Sequence, residues 1–97
     1  MLKFALYGEL KPKPGKEAEV EAFLKLGAEL AKNEPETITW YAFKQDDGTY
    51  GIFDTFNDEA GRDAHLTGDI AKALMAKADE FFSEPPKIHK IGILAVK

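Results

Sequence analysis

The sequence contains no cysteine, no long hydrophobic run and no cluster of basic residues. Without cysteine, disulfides, thiolate catalysis and cysteine-bound metals are all excluded. No apolar run approaches the roughly 18 residues that a membrane-spanning helix needs, so we expect no membrane association. The first residues lack the basic and apolar regions of a signal peptide, and we therefore expect a cytoplasmic protein.

Positive charge is scattered, and the net charge is −4. Arg62 is the single arginine, and the lysines are spread along the chain. We expect no nucleic-acid partner, because binding to phosphates requires a patch of lysine and arginine.

Several sequence patterns of catalysis are also missing. There is no nucleophile elbow with a serine triad and no glycine-rich phosphate loop. The two histidines, His65 and His89, are far apart, which does not favour a metal site. We therefore predict that any activity uses no metal or cofactor and depends on a pocket with one or two proton-accepting side chains.

The chain does have the composition of a folded domain. Its 97 residues are 44% hydrophobic and 11% aromatic, which indicates a single domain over residues 1–97. Hydrophobic periodicity, turn residues and caps predict the elements in chain order. These are a strand over 2–10, a helix over 16–32, strands over 37–44 and 49–56, a short helix ending near 65, a helix over 70–82 and a strand over 88–96.

This order, βαββαβ, predicts an α+β, ferredoxin-like fold. Right-handed crossovers place both helices on one face of a four-stranded antiparallel sheet. The sheet face that no helix covers is expected to carry polar residues, yet the strands are apolar on both sides. One middle strand has Ile38, Trp40 and Ala42 on one side and Tyr41 and Phe43 on the other. Because monomers rarely expose such a face, we predict a homodimer; scattered apolar residues on a wet face remain the alternative.

Three side chains stand out as candidates for a functional site. His65 lies at the end of a short helix. Histidine is the side-chain type with an ordinary pKa nearest neutral pH, so His65 is either a proton acceptor or a structural residue that caps the helix end. Asp54 lies in an apolar strand, where a carboxylate must be paired, hydrogen-bonded or raised in pKa. It is either a base or a partner of Arg62 or a lysine. Trp40 is either a core anchor or the wall of a ligand pocket.

Four segments together resemble the antibiotic biosynthesis monooxygenase family of the dimeric α/β-barrel superfamily. They extend over nearly the whole chain in the family's order. The segments are 8–16 (GELKPKPGK), 34–38 (EPETI), 53–60 (FDTFNDEA) and 64–66 (AHL).

The resemblance implies a dimeric α/β barrel and, for characterised relatives, oxygen insertion into phenols or quinols without metal, flavin or haem. The expected substrates are a small aromatic quinol or polyphenol and O₂. By position, His65 matches the family's helix-end histidine, Trp40 its strand aromatic and Phe56 its strand-end aromatic. We predict His65 and Asp54 as catalytic residues, and Trp40, Phe56 and Tyr7 as substrate-binding residues.

The chain also departs from the family pattern. Glu36 replaces the usual glycine, Thr37 the usual cysteine and Trp40 the common tyrosine. Phe56 stands where haem-degrading relatives have tryptophan, so haem degradation is not expected. Two other functions on this scaffold stay open: a non-catalytic ligand-binding or stress-related dimer, and a small isomerase or decarboxylase-like enzyme.

Overall fold

The computed structural model describes residues 2–97, which form four strands and three helices. The elements are β1 (Phe4–Leu10), α1 (Glu17–Ala31), β2 (Thr37–Lys44), β3 (Tyr50–Phe56), α2 (Glu59–Leu66), α3 (Asp69–Phe81) and β4 (Lys87–Gly92). The strands form one antiparallel sheet in the order β2-β3-β1-β4. The α+β, ferredoxin-like fold is confirmed, and its second helical region is divided into α2 and α3.

Local sequence signals explain where several elements begin and end. Gly48 has a φ of 90° in the hairpin between β2 and β3, a left-handed conformation that glycine adopts without strain. Asp58 caps α2, because its side chain accepts a hydrogen bond of 2.8 Å from the Gly61 backbone N–H. The break between α2 and α3 follows at Thr67 and Gly68.

The register of the sheet determines which strand residues face the helices. Leu6 of β1 and Trp40 of β2 both pair with Asp54 of β3, so these three side chains are on the same face. The core on this side combines residues from the sheet with residues from α1 and α3. It contains Leu10, Val20, Leu24, Tyr50, Ile52, Leu74, Ala78, Phe81 and Phe82.

The other face of the sheet carries aromatic side chains as well. The Tyr7 ring stacks between Phe43, at a centroid distance of 6.1 Å, and His89, at 5.5 Å. Phe53 on the neighbouring strand is half-buried, and Tyr41 is 59% exposed. The strands therefore have apolar side chains on both sides, as their sequences predict.

Two predicted details are wrong. The last strand ends at Gly92 instead of Val96, because its only neighbour, β1, begins opposite Gly92 at Phe4. Leu94 beyond it is 96% exposed. Ile38 does not continue the alternation of Trp40 and Ala42, because the register shifts between Thr37 and Thr39 and leaves Ile38 out of the pairing.

The helices of the described part of the chain are short. The longest has 15 residues, and none combines the length and hydrophobicity of a bilayer-spanning helix.

Candidate functional site

His65 lies between two carboxylates, one on each nitrogen of its ring. Its Nε2 is 2.9 Å from Asp54 Oδ2, and its Nδ1 is 2.6 Å from Glu34 Oε1. The three residues come from the last turn of α2, the middle of β3 and the turn after α1. His65 is 8% exposed and Asp54 only 1%, so the cluster is held inside the protein.

The two carboxylates favour the doubly protonated, positively charged form of His65. Only that form has an N–H to donate on both sides, whereas a neutral ring would turn a lone pair towards one carboxylate. Burial lowers the pKa of His65, but hydrogen bonding and charge from Asp54, followed by those from Glu34, outweigh it. The pKa of His65 is therefore raised above its usual value. The helix C-terminus also favours a cation at this place.

Asp54 has one oxygen engaged and one free. Oδ2 accepts the bond from His65, whereas Oδ1 is buried and has no hydrogen-bond partner within residues 2–97. An unpaired buried carboxylate oxygen is costly and is a common feature of binding sites. Asp54 and His65 both line a small inner cavity of about 50 Å³ between the sheet and the helices. Its other walls are mainly aliphatic: Leu6, Leu10, Ile52, Leu66, Ile70, Leu74 and Ile88.

Glu34 forms the outer side of the cluster. The Thr37 hydroxyl donates a hydrogen bond of 2.9 Å to Glu34 Oε1, the same oxygen that contacts His65. Glu34, Thr37 and His65 line a second, more polar cavity of about 260 Å³ on the surface. His65 therefore separates a polar surface cavity from the apolar inner one.

The other predicted site residues have different positions. Phe56 is fully buried with its ring centroid 5.5 Å from that of His65, so it supports the histidine ring. Trp40 lies beside Asp54 in the sheet but lines a groove between α1 and β2 instead of the inner cavity. Tyr7 is on the opposite face of the sheet from Asp54, and therefore does not share a cavity with His65 in one protomer.

The pairing of Asp54 differs from the sequence-based alternatives. Its partner is His65, and neither Arg62 nor a lysine contacts it. Arg62 instead has its guanidinium 5.1 Å from the centre of the Phe4 ring and 3.6 Å from Glu59.

Sequence reasoning missed the roles of Glu34 and Thr37. Both belong to segment 34–38, which contributed to the family resemblance, but nothing local in that segment indicates contact with a residue about 30 positions away. The carboxylates of Glu34 and Asp54 lie on opposite sides of the imidazole ring and do not converge. Across residues 2–97, no group of three such side chains is arranged to hold a metal ion.

Comparison with solved structures shows that other proteins share the fold of this chain. A protein of unknown function from Nitrosomonas europaea is 49% identical, with a TM-score of 0.95 over 100% of this chain and 94% of that one. A Caulobacter crescentus protein, provisionally named an antibiotic biosynthesis monooxygenase, is 23% identical with a TM-score of 0.81. The match covers 97% of this chain and 92% of that one.

A second Nitrosomonas europaea protein with the same provisional name has 14% identity and a TM-score of 0.84, over 95% of this chain and 90% of that one. No family model and no curated protein sequence matches the chain.

The chain therefore has the antibiotic biosynthesis monooxygenase fold, as the sequence resemblance implies. It belongs to the same family as the 49% identical Nitrosomonas protein of unknown function.

Proposed function

We propose that this protein is a cofactor-independent monooxygenase that oxidises a small phenol or quinol with O₂. The observation that carries the proposal is the unpaired, buried Oδ1 of Asp54, a residue that lines an apolar cavity. A phenolic O–H entering the cavity would donate its hydrogen bond to this oxygen. Fold likeness to proteins that are provisionally named monooxygenases agrees with the proposal.

Asp54 is the proton acceptor in the proposed reaction. The phenol gives its proton to Asp54 Oδ1, and the resulting phenolate transfers one electron to O₂. The phenoxyl radical and superoxide combine at an unsubstituted ring carbon and are protonated to a hydroperoxide. Loss of water then leaves a quinone that carries one atom of the O₂, while the other atom leaves in the water.

His65 is a positioning residue in this scheme, which revises the sequence-based role of proton acceptor. Both of its nitrogens already face carboxylates, so it has no free lone pair to offer a substrate. Its bond to Oδ2 fixes the orientation of the Asp54 carboxylate and leaves Oδ1 as the oxygen that can accept a proton.

The inner cavity is smaller than a single aromatic ring requires. A dry apolar cavity of about 150 Å³ accommodates benzene, whereas the inner cavity has about 50 Å³. Binding therefore requires that α2 and α3 move outward at Leu66, Ile70 or Leu74. The walls that contact the ring are aliphatic, and we assign neither Trp40 nor Tyr7 to them.

Oxygen consumption with a panel of quinols and catechols tests the proposal. We expect uptake by the native chain, and a quinone product that gains one labelled atom from ¹⁸O₂. Asp54→Asn keeps the shape but not the base and should reduce the rate by about 100-fold or more. The matched control Asp63→Asn changes an exposed aspartate of α2 and should retain the native rate. Uptake no faster than buffer across the panel would remove the proposal.

A second candidate function is ligand binding without turnover. One observation favours it: both His65 nitrogens are engaged, so the histidine has no lone pair for proton transfer. Calorimetry with the same phenols separates the two functions. Heat of binding without oxygen uptake would support this candidate, whereas uptake would reject it.

We also propose that the active form is a homodimer in which the exposed sheet face of one protomer covers that of another. The aromatic side chains of this face, including Tyr7, Phe43 and Phe53, form a patch that monomers rarely expose. Sedimentation should show a dimer at micromolar concentration. Phe53→Lys should produce monomers, whereas Leu26→Lys, on the outer side of α1, should not. A monomeric native chain would contradict the proposal.

A further inference from the structure

One cavity of the described chain is a groove that lies outside the site around His65. It has a volume of about 390 Å³ and runs between α1 and the edge strand β2. We call it the Trp40 groove; its lining is Glu21, Leu24, Lys25, Ala28, Trp40, Tyr41, Ala42, Phe43, Lys44 and Tyr50. Small-molecule sites usually have about 300–1,000 Å³, and this volume falls within that range.

The groove exists because α1 does not cover the outer part of the sheet. Ala42 is on the same face as Trp40 and Ile52, the face that packs against the helices, yet it is exposed. Leu24 on the helix side is buried and Ala28 is half-buried. An apolar floor is thus open to solvent at a place where the fold would normally bury it.

The indole of Trp40 forms one wall of the groove and has an unused donor. Its Nε1–H is buried and finds no acceptor in the described part of the chain. A Cβ atom at Gly27 would lie 3.0 Å from Trp40 Cη2, so glycine at this position lets the indole lie against α1. The indole thus gives the groove a flat apolar wall.

The charged side chains along the groove indicate which kind of ligand it would bind. Lys25 and Lys44 are exposed on its two sides, and the Lys44 amine is 5.6 Å from the centre of the Tyr50 ring. Glu21 is the single acid of the lining, and it already accepts a hydrogen bond from the Tyr50 hydroxyl. The lining therefore carries two lysine ammonium groups against one carboxylate, which gives the groove a net positive charge.

We propose that the Trp40 groove binds an apolar carboxylate, a small molecule with an acyl or aryl body and one carboxylate group. The body would lie on Leu24, Ala28 and Ala42, and the carboxylate would contact Lys25 or Lys44. This site is separate from the inner cavity and does not depend on turnover there, because the two cavities have no lining residue in common.

Trp40 is the single tryptophan of the chain, so its fluorescence reports on the groove directly. We expect decanoate, below the concentration at which it forms micelles, to change the emission with a saturable profile. Methyl decanoate, which has the same chain without the charge, should bind about fivefold more weakly, since exposed ion pairs contribute about 0.2–1 kcal/mol each.

Two pairs of variants locate the binding. Lys25→Gln with Lys44→Gln should weaken decanoate binding about fivefold, whereas Lys32→Gln with Lys72→Gln, which removes the same charge elsewhere, should not. Ala42→Phe fills the groove at an exposed position and should abolish saturation. Its control, Ala76→Phe, adds the same ring on the exposed side of α3 and should leave binding intact.

Three outcomes would overturn the proposal. The first is that decanoate leaves the emission of the native chain unchanged at every concentration below micelle formation. The second is that Ala42→Phe binds decanoate as tightly as Ala76→Phe does. The third is that the Trp40 emission changes with protein dilution but not with decanoate, which would assign the groove to a second copy of the chain.

Discussion

The inner cavity beside His65 has about 50 Å³, whereas the groove beside Trp40 has about 390 Å³. The small cavity is next to three interlocked ionisable groups, Glu34, His65 and Asp54. The large groove has one buried hydrogen bond between Tyr50 and Glu21 and a mostly apolar lining. The inner cavity therefore combines ionisable side chains with a small volume, whereas the groove combines a larger volume with few polar contacts.

Packing explains the difference. The inner cavity is under the centre of the sheet, where large side chains such as Leu6, Ile52 and Leu74 fill the space between the strands and the helices. Tight packing fixes the geometry of His65 and Asp54, but it also requires movement before a ligand can enter. The groove lies at the edge strand, where α1 leaves Ala42 uncovered and access needs no such movement.

The largest expected effect comes from breaking the buried cluster. His65→Ala would leave the carboxylate of Asp54 buried without a partner, and we expect a loss of about 3–5 kcal/mol in the free energy of unfolding. Replacing both residues, as His65→Leu with Asp54→Leu, removes the buried charge as well and should cost clearly less. Urea unfolding measures both values.

The control for this prediction is Lys72→Ala. Lys72 is exposed on α3, away from the cluster and from the aromatic face of the sheet, so its removal should change stability by no more than about 0.5 kcal/mol. If His65→Ala and Lys72→Ala cost the same, the cluster of Glu34, His65 and Asp54 does not stabilise the fold.

A smaller effect is expected on the groove side, at Gly27. In Gly27→Ala, the new Cβ would lie 3.0 and 3.1 Å from two atoms of the Trp40 ring. Overpacking costs about 1–3 kcal/mol, while alanine gains about 0.5–1 kcal/mol over glycine within a helix. We therefore expect a net loss of about 1 kcal/mol, with a shift in Trp40 emission.

Gly92→Ala is the control, because a Cβ there meets nothing within 4 Å. Its stability and fluorescence should remain native. A stabilised Gly27→Ala would mean that the indole moves aside freely and does not form a fixed wall of the groove.

The elements of the fold could be predicted from local sequence because each has a local cause. The Asp47-Gly48 turn determines the hairpin, and Asp58 caps α2. The end of β4 could not be predicted this way. The segment from Ile93 to Val96 has the composition of a strand, but β1 offers no paired residue beyond Phe4.

The site was predictable in part. His65 and Asp54 stand out by residue type and context, and the structure brings them together. Their link to Glu34 depends on how a turn, a strand and a helix end meet, which no local pattern encodes. Tyr7 is predicted as a substrate-binding residue because its phenol could contact a substrate oxygen, but the register puts Leu6, and not Tyr7, on the face of Asp54.

A still smaller effect concerns the response of the buried cluster to pH. The folded-state pKa of His65 is raised, with Asp54 as the main cause that outweighs burial. The charged ring therefore stabilises the fold fully below the unfolded pKa of about 6.5, and this contribution is lost as pH rises through the folded pKa.

Urea unfolding between pH 5 and 9, where histidine titrates, should show this decline, and His65→Gln should flatten it. NMR of the imidazole protons reports the same event directly. An NMR midpoint for His65 below about 6.5 would reverse the predicted sign.

The groove side should respond to pH only in alkali. The hydrogen bond from Tyr50 to Glu21, together with burial, raises the pKa of Tyr50 to about 12. Its contribution to stability is therefore complete below the unfolded pKa of about 10 and is lost as pH rises from there towards 12. Ultraviolet absorbance should show a late tyrosine ionisation that disappears in Tyr50→Phe and persists in Tyr41→Phe. If the late step persists in Tyr50→Phe, the tyrosine that ionises late is not Tyr50, and the hydrogen bond from Tyr50 to Glu21 is absent in solution.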